Sequence, residues 1–140
     1  MNTSVDTNVF VALWDEDSSV SEAAQRALDL ASEQGEVVVC APVYSELLAN
    51  RGRSKEFLDR FFATTGIRID WMLGEAVWRS AGAAFGQYAE RRRRHGAAAP
   101  RRILADFLIA AHAVQNHCQL LTLDDQIDGS LFPGLKIMRF

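Results

Sequence analysis

Four carboxylates in this chain stand in surroundings that make them candidates for chemistry. Asp6 follows "NTSV" and precedes "TNVFVAL", a run suited to a protein interior. Glu46 lies in "VYSELLA", Asp106 in "ILADFLIAA", and Asp124 comes just after "LLT". An ionised carboxylate in apolar surroundings is costly unless it is paired or binds a cation. Four brought together raise one another's pKa, and a divalent ion offsets that. Oxygen donors with no His or Cys among them select Mg2+ or Mn2+ over Zn2+. Mg2+ keeps several waters and takes substrate phosphate oxygens, which suits phosphodiester hydrolysis. Each acid also has an ordinary structural reading. Asp6 and Asp124 serve equally as turn residues, Glu46 as a solvated or salt-bridged helix residue, and Asp106 as a helix-start residue interacting with the dipole or with Arg102.

The elements that would position these acids follow from hydropathy and punctuation. "TSVD" reads as a short strand. A helix is predicted over 18–35, capped by Ser18 or Ser19, ended by Gly35, with Val20, Ala23, Ala27, Leu30 and Ala31 on its inner stripe. "EVVVCA" (36–41) is a buried strand by its β-branched run. Pro42 opens the helix that carries Glu46, and a second helix follows over 54–66. "IRID" is a short strand. The stretch 73–96 is a long amphipathic helix with Val77, Trp78, Ala81, Ala84, Phe85 and Tyr88 on one stripe. An apolar helix over 102–117 carries Asp106, with the small Ala110 and Ala113 one and two turns on. "CQLLT" and "LKIMRF" are the last strands. This alternation predicts an α/β fold: a central parallel sheet with helices on both faces. In such sheets ligands bind beyond the carboxyl ends of the strands. Asp6 and Asp124 stand at two such ends, Glu46 and Asp106 near helix starts.

The 140 residues, 49% hydrophobic and 24% charged, fit one domain over 1–140 with a substantial core. No apolar run reaches a membrane span of roughly 18 residues, and no secretory signal is evident. Cys40 and Cys118 follow no metal-binding spacing and read as buried free thiols of a cytoplasmic protein. The net charge of −3 argues against a nucleic-acid partner only on average. Setting the four acids aside leaves the remainder slightly basic, with arginines gathered in "ERRRRHG" and "PRRILAD".

The segments "VDTNVFVAL", "YSELL", "LADFLIAAHA" and "LLTLDD" followed by "FPGLKI" resemble the PIN-domain ribonucleases, most of all the VapC toxins of bacterial toxin–antitoxin pairs. The resemblance spans nearly the whole chain. It implies a three-layer α/β/α domain, Mg2+ or Mn2+ dependence and endonucleolytic cleavage of RNA. It also implies a homodimer inhibited by a cognate antitoxin whose tail occupies the active-site groove. The family's acidic quartet falls on Asp6, Glu46, Asp106 and Asp124, with Asp6, Asp106 and Asp124 as metal ligands. Its polar companions fall on Thr7, Asn8 and Thr122. Asp125 adjoins the fourth acid and Asp128 is near. Asp124 is preferred because it stands two positions after the threonine that ends the strand, as in the family's pattern.

Among the arginines, Arg101 and Arg102 are the candidates for RNA contact, since they start the helix carrying Asp106. The run Arg91–Arg94 reads as a solvated helix end, where cations are favoured anyway. His112 lies six residues after Asp106, about 240° around the helix, and with His95 and His117 offers no acid–base pair. Trp14, Trp71 and Trp78 are read as core or interface. Three rival readings exist: a catalytically silent PIN-like binding module, a phosphoacceptor receiver domain, and a metal-dependent nuclease acting on DNA or in RNA processing. The four acids oppose the first. The second wants paired acids after the first strand, where Asp6 stands alone. The third is not separated by the acids, because water-mediated hydrolysis does not use the 2′-OH.

Overall fold

A computed structural model of the chain describes residues 1–50, 52–96 and 102–140. Among the described residues five strands form one sheet: β1 (Thr3–Val5), β2 (Val37–Cys40), β3 (Arg68–Asp70), β4 (Gln119–Leu121) and β5 (Ile137–Met138), in the order β3-β2-β1-β4-β5. Every pairing is parallel. The described helices are α1 (Thr7–Leu13), α2 (Ser18–Gln34), α3 (Ala41–Ala49), α4 (Lys55–Thr65), α5 (Glu75–Arg94) and α6 (Leu104–Gln115), with a 3-10 turn over Gly129–Leu131.

From β1 the chain steps to β2 and β3, then returns across the sheet to place β4 on the other side of β1. Right-handed crossovers put helices before β3 on one face and those between β3 and β4 on the other. The result is a three-layer α/β/α arrangement with its direction reversing between β1 and β4. The crevice outside that reversal is where open parallel sheets bind ligands. The register of Val5 with Leu121 and the bond from Asp6 N to Leu121 O (2.9 Å) bring Asp6 and the residues after β4 to one rim.

The strands are buried along both faces of the sheet interior: Val5, Val38, Val39, Cys40, Leu120 and Leu121 are all at most 2% exposed. On one side Phe10 packs against Trp14, Phe61 and Phe62. On the other, Phe85 stacks on Phe107 with centroids 4.6 Å apart, joining α5 to α6. Cys40 and Cys118 are buried free thiols, and burial pushes the Cys40 thiol up to about 12.

Four local expectations need correction. "TNVFVAL" is a helix, α1, where no helix is predicted; Asp6 caps it by accepting from Thr7 N at 2.7 Å. On α2 the N-cap is Asp17, not Ser18 or Ser19, and its side chain accepts from Ser19 N. The inner face of α2 is Ala24, Ala27, Leu28 and Ala31, while Val20 and Leu30 are exposed. Small alanines let α2 approach α1 closely, and that packing outweighs burial of the two larger side chains. Last, α6 begins at Leu104 rather than 102, which makes Asp106 its third residue.

Candidate active site

Asp6 leaves β1 in extended conformation and starts α1, so one residue ends a strand and caps a helix. Its Oδ1 accepts from Thr7 N at 2.7 Å. Its Oδ2 accepts from Thr122 Oγ1 at 2.8 Å and from Asn8 Nδ2 at 3.3 Å. Thr122, just past β4 and fully buried, donates its one proton to Asp6. It accepts from Asp124 N at 3.0 Å and from Asn8 Nδ2 at 3.3 Å. That uses the whole capacity of a hydroxyl. Asn8 uses Oδ1 for Leu123 N at 3.0 Å, so its amide orientation is fixed by the network. Thr7 donates from Oγ1 to Glu46 Oε1 at 2.6 Å, tying α3 to the start of α1. Thr7 is thus bonded to Glu46, and Asn8 and Thr122 to Asp6.

Asp6, Asp106 and Asp124 line one cavity of about 140 Å3, together with Tyr88, Arg102, Ala110, Gln126, Asp128 and apolar side chains from α6 and the segment 127–132. Glu46 does not line it, but its carboxylate joins that of Asp106 in raising the pKa of Asp6. Desolvation is the largest cause, the bonds from Thr122 and Thr7 oppose it, and the Asp6 carboxyl is raised to about 6. Asp106 accepts from Ile103 N through Oδ2 at 3.0 Å. That is half of a capping box, since Ile103 has no side-chain acceptor to return the bond. Among the described residues neither Asp6, Glu46 nor Asp106 forms an ion pair, whereas Asp124 Oδ2 meets Arg102 Nη1 at 2.5 Å. That guanidinium holds the Asp124 carboxyl below the usual range. Asp125 is exposed.

The donor set is all carboxylate and hydroxyl oxygen, which fits a hard divalent ion. Among the described residues no three acid, His or Cys side chains stand close enough together to form a ready-made metal-holding group. Mg2+ does not need one, because it is held by one or two carboxylates and keeps its waters. A carboxylate whose ionisation is resisted by burial and by two neighbouring acids is one that a cation would favour.

Of the remaining predicted residues, Arg102 is drawn to the acids rather than outward, and its backbone N donates to Tyr88 Oη at 3.2 Å. Arg101 lies outside the described residues. The Arg91–Arg94 run behaves as a helix end: Arg91 pairs with Asp128, and Arg93 and Arg94 pair with Glu90. Tyr88 and Gln126, which the sequence does not single out as site residues, line the cavity as well. For Tyr88 a signal existed, since a tyrosine on a buried stripe must find its hydroxyl a partner.

A family model for the PIN domain matches residues 4–129. A comparison with curated proteins finds no match. Among solved structures the fold is similar to VapBC2 from Rickettsia felis bound to a promoter DNA fragment (TM-score 0.62, 20% identity, covering 100% of this chain and 99% of that one). It is similar to VapBC-1 from nontypeable Haemophilus influenzae (0.65, 16%, 99% and 98%). A toxin–antitoxin complex from Klebsiella pneumoniae is alike as well (0.66, 17%, 98% and 96%).

Proposed function

The chain belongs to the PIN-domain family, and from that premise we propose that it is a Mg2+- or Mn2+-dependent endoribonuclease, the VapC-type toxin of a toxin–antitoxin pair. The observation that carries this reading is Asp6: a partly buried carboxylate at the reversal of the sheet, its pKa raised to about 6, sharing a cavity with Asp106 and Asp124. Asp6, Asp106 and Asp124 would hold the divalent ion, with Glu46 adding negative charge through its link to Thr7. When bound, the ion supplies a lowered pKa for the attacking water and charge neutralisation at the phosphate. The chain's own work is orientation. Thr122 and Asn8 fix Oδ2 of Asp6, Thr7 fixes Glu46, and the helix start fixes Asp106. Arg102 adds a cation beside the substrate phosphates, a role that positions the strand without reading bases.

The partners follow from the same reading. The similar solved structures are toxin–antitoxin complexes of nearly the same toxin length, which supports a cognate antitoxin here. Trp71, Met72 and Trp78 are 58%, 82% and 52% exposed and border a shallow groove with Pro42 and Ser45. Such a surface supports a homodimer that covers it; light scattering that finds only monomer at high micromolar concentration would count against this. Among the described residues no helix is long and apolar enough to cross a membrane.

The test of the activity is purified protein with a transcript pool and with single-stranded DNA, in Mg2+, Mn2+ or EDTA, followed by sequencing of the ends. Metal-dependent internal cleavage of RNA, absent in Asp6→Ala, is expected. Cleavage that persists undiminished in EDTA overturns the mechanism, and cleavage of DNA alone overturns the substrate class.

A further inference from the structure

Asp124 differs from the other three acids. Its Oδ2 is in contact with Arg102 Nη1 and its Oδ1 accepts from Gln126 N at 2.9 Å. Both side chains of the pair are about three-quarters buried, at 23% and 25% exposure, and both line the cavity that Asp6 and Asp106 line. Arg102 is also anchored at its backbone by the Tyr88 hydroxyl. A divalent ion on Asp124 Oδ2 and a guanidinium in hydrogen-bond contact with that oxygen would be two cations on one atom in a half-buried place. Their repulsion there is poorly screened, so one must leave.

We propose that Arg102 is a counter-cation built into the acidic pocket, which occupies Asp124 in the metal-free chain and must be displaced from it when a divalent ion enters. The proposal rests on the reading of the acids as a divalent-ion site and deepens it. Arg102 offsets the repulsion among acids that otherwise have no cation partner among the described residues. Its long side chain has the reach to move while the backbone stays on Tyr88. Once displaced, its guanidinium remains at the cavity wall, beside the place where a phosphate would meet the ion. Metal loading and substrate contact are then coupled through one side chain. The pair differs from the solvated Arg93 and Arg94 pairs with Glu90, because here both members face the site.

The test is Mn2+ titration of the metal-free full-length chain by calorimetry, for wild type, Arg102→Gln, Asp124→Asn and the double variant. Removing the competitor should tighten Mn2+ binding about tenfold, the scale of a charge-assisted hydrogen bond. In the Asp124→Asn background the same change should alter affinity less than about twofold, because the contested oxygen is gone. Arg91→Gln, which removes an equal charge from Asp128 at the cavity wall, separates contact from field and should also shift affinity less than about twofold. Circular dichroism and thermal melts check folding, and Arg102→Met replaces Arg102→Gln if the latter melts early. Equal or weaker Mn2+ binding in Arg102→Gln, or undiminished tightening without Asp124, overturns the counter-cation role while leaving the nuclease reading intact. Absence of Mn2+ uptake in wild type and Arg102→Gln alike overturns both.

Discussion

Ser4 and Asp6 are two residues apart at the centre of the sheet, yet they belong to different kinds of polar cluster. Ser4 Oγ meets His112 Nδ1 at 3.2 Å, and His112 Nε2 meets Asp70 Oδ2 at 2.9 Å. This chain joins β1, α6 and the end of β3, and Ser4 is 0% and His112 1% exposed. Residue types alone would suggest a Ser–His–Asp nucleophile, but no substrate reaches a hydroxyl sealed beneath a helix. The cluster closes on itself: one acid, one imidazole, one hydroxyl. Around Asp6 the hydrogen bonding is as complete, but the charges are not balanced, since among the described residues several acids face a cavity with one arginine among them. Buried polarity by itself therefore marks architecture, and unbalanced like charge around an opening marks a site.

The largest effect that separates the two clusters is on cleavage. Asp6→Ala or Asp106→Asn should lower the cleavage rate at least about 100-fold, the scale of several kcal/mol of lost charge stabilisation. Far-UV circular dichroism should stay close to wild type. A variant of either that keeps full activity in Mg2+ would remove that acid from the site.

Next is His112→Ala. It leaves Ser4 and Asp70 without their buried partner and opens a void, costing about 3 kcal/mol and a fall in Tm of roughly 10 °C. Mn2+ affinity of the folded fraction should not change. A stability loss under 0.5 kcal/mol would mean the closed cluster holds nothing together.

The third prediction uses the pKa of Asp6, raised from 3.8 to about 6. Because the folded value is the higher one, ionised Asp6 is a cost to the fold. The cost is full above pH 6 and fades as pH falls through 6 toward 3.8. Its ceiling is about 3 kcal/mol. Asp6→Asn removes the charge while keeping the cap acceptor. In EDTA, its stability relative to wild type should therefore be greatest at pH 7 and shrink by pH 5, as read from urea unfolding at both. A difference that does not vary with pH would show that desolvation does not govern this carboxyl.

The smallest effect is expected at Asp125→Asn, an exposed neighbour of the fourth acid: within 0.5 kcal/mol in stability and within about twofold in rate. Loss equal to that of Asp124→Asn would move the fourth position.

The parallel sheet and the alternation of elements were legible because each has a local signature, β-branched runs and glycine stops, and the four acids stood out as acids in apolar sequence. What escaped had its cause elsewhere in the chain. "TNVFVAL" is rich in β-branched and aromatic residues, so propensity favours a strand. It is a helix because Asp6 caps it and Val9, Phe10 and Ala12 are buried on one side. The face of α2 could not be read by counting large side chains, because alanines make the close contact. His112 was read as offering no acid–base pair because it lies off the face of Asp106, and Asp70, 42 residues away, was not visible as its partner. Arg102 stood out as a cation near Asp106; that it reaches Asp124 depends on how a helix start and a strand end meet.

The bond from Thr122 Oγ1 to Asp6 joins residues 116 positions apart, and that separation has a kinetic meaning. Chains are made from the N-terminus at about 5–20 residues per second. The first acid therefore exists long before its companion strand does. Until β4 docks, the side of β1 facing it is an open edge, and Oδ2 of Asp6 lacks its bond from Thr122, with only Asn8 within reach. Closing so long a loop is a slow, late step in folding. A growing chain thus carries no assembled pocket, and the cluster around Asp6 forms only after Thr122 has been synthesised.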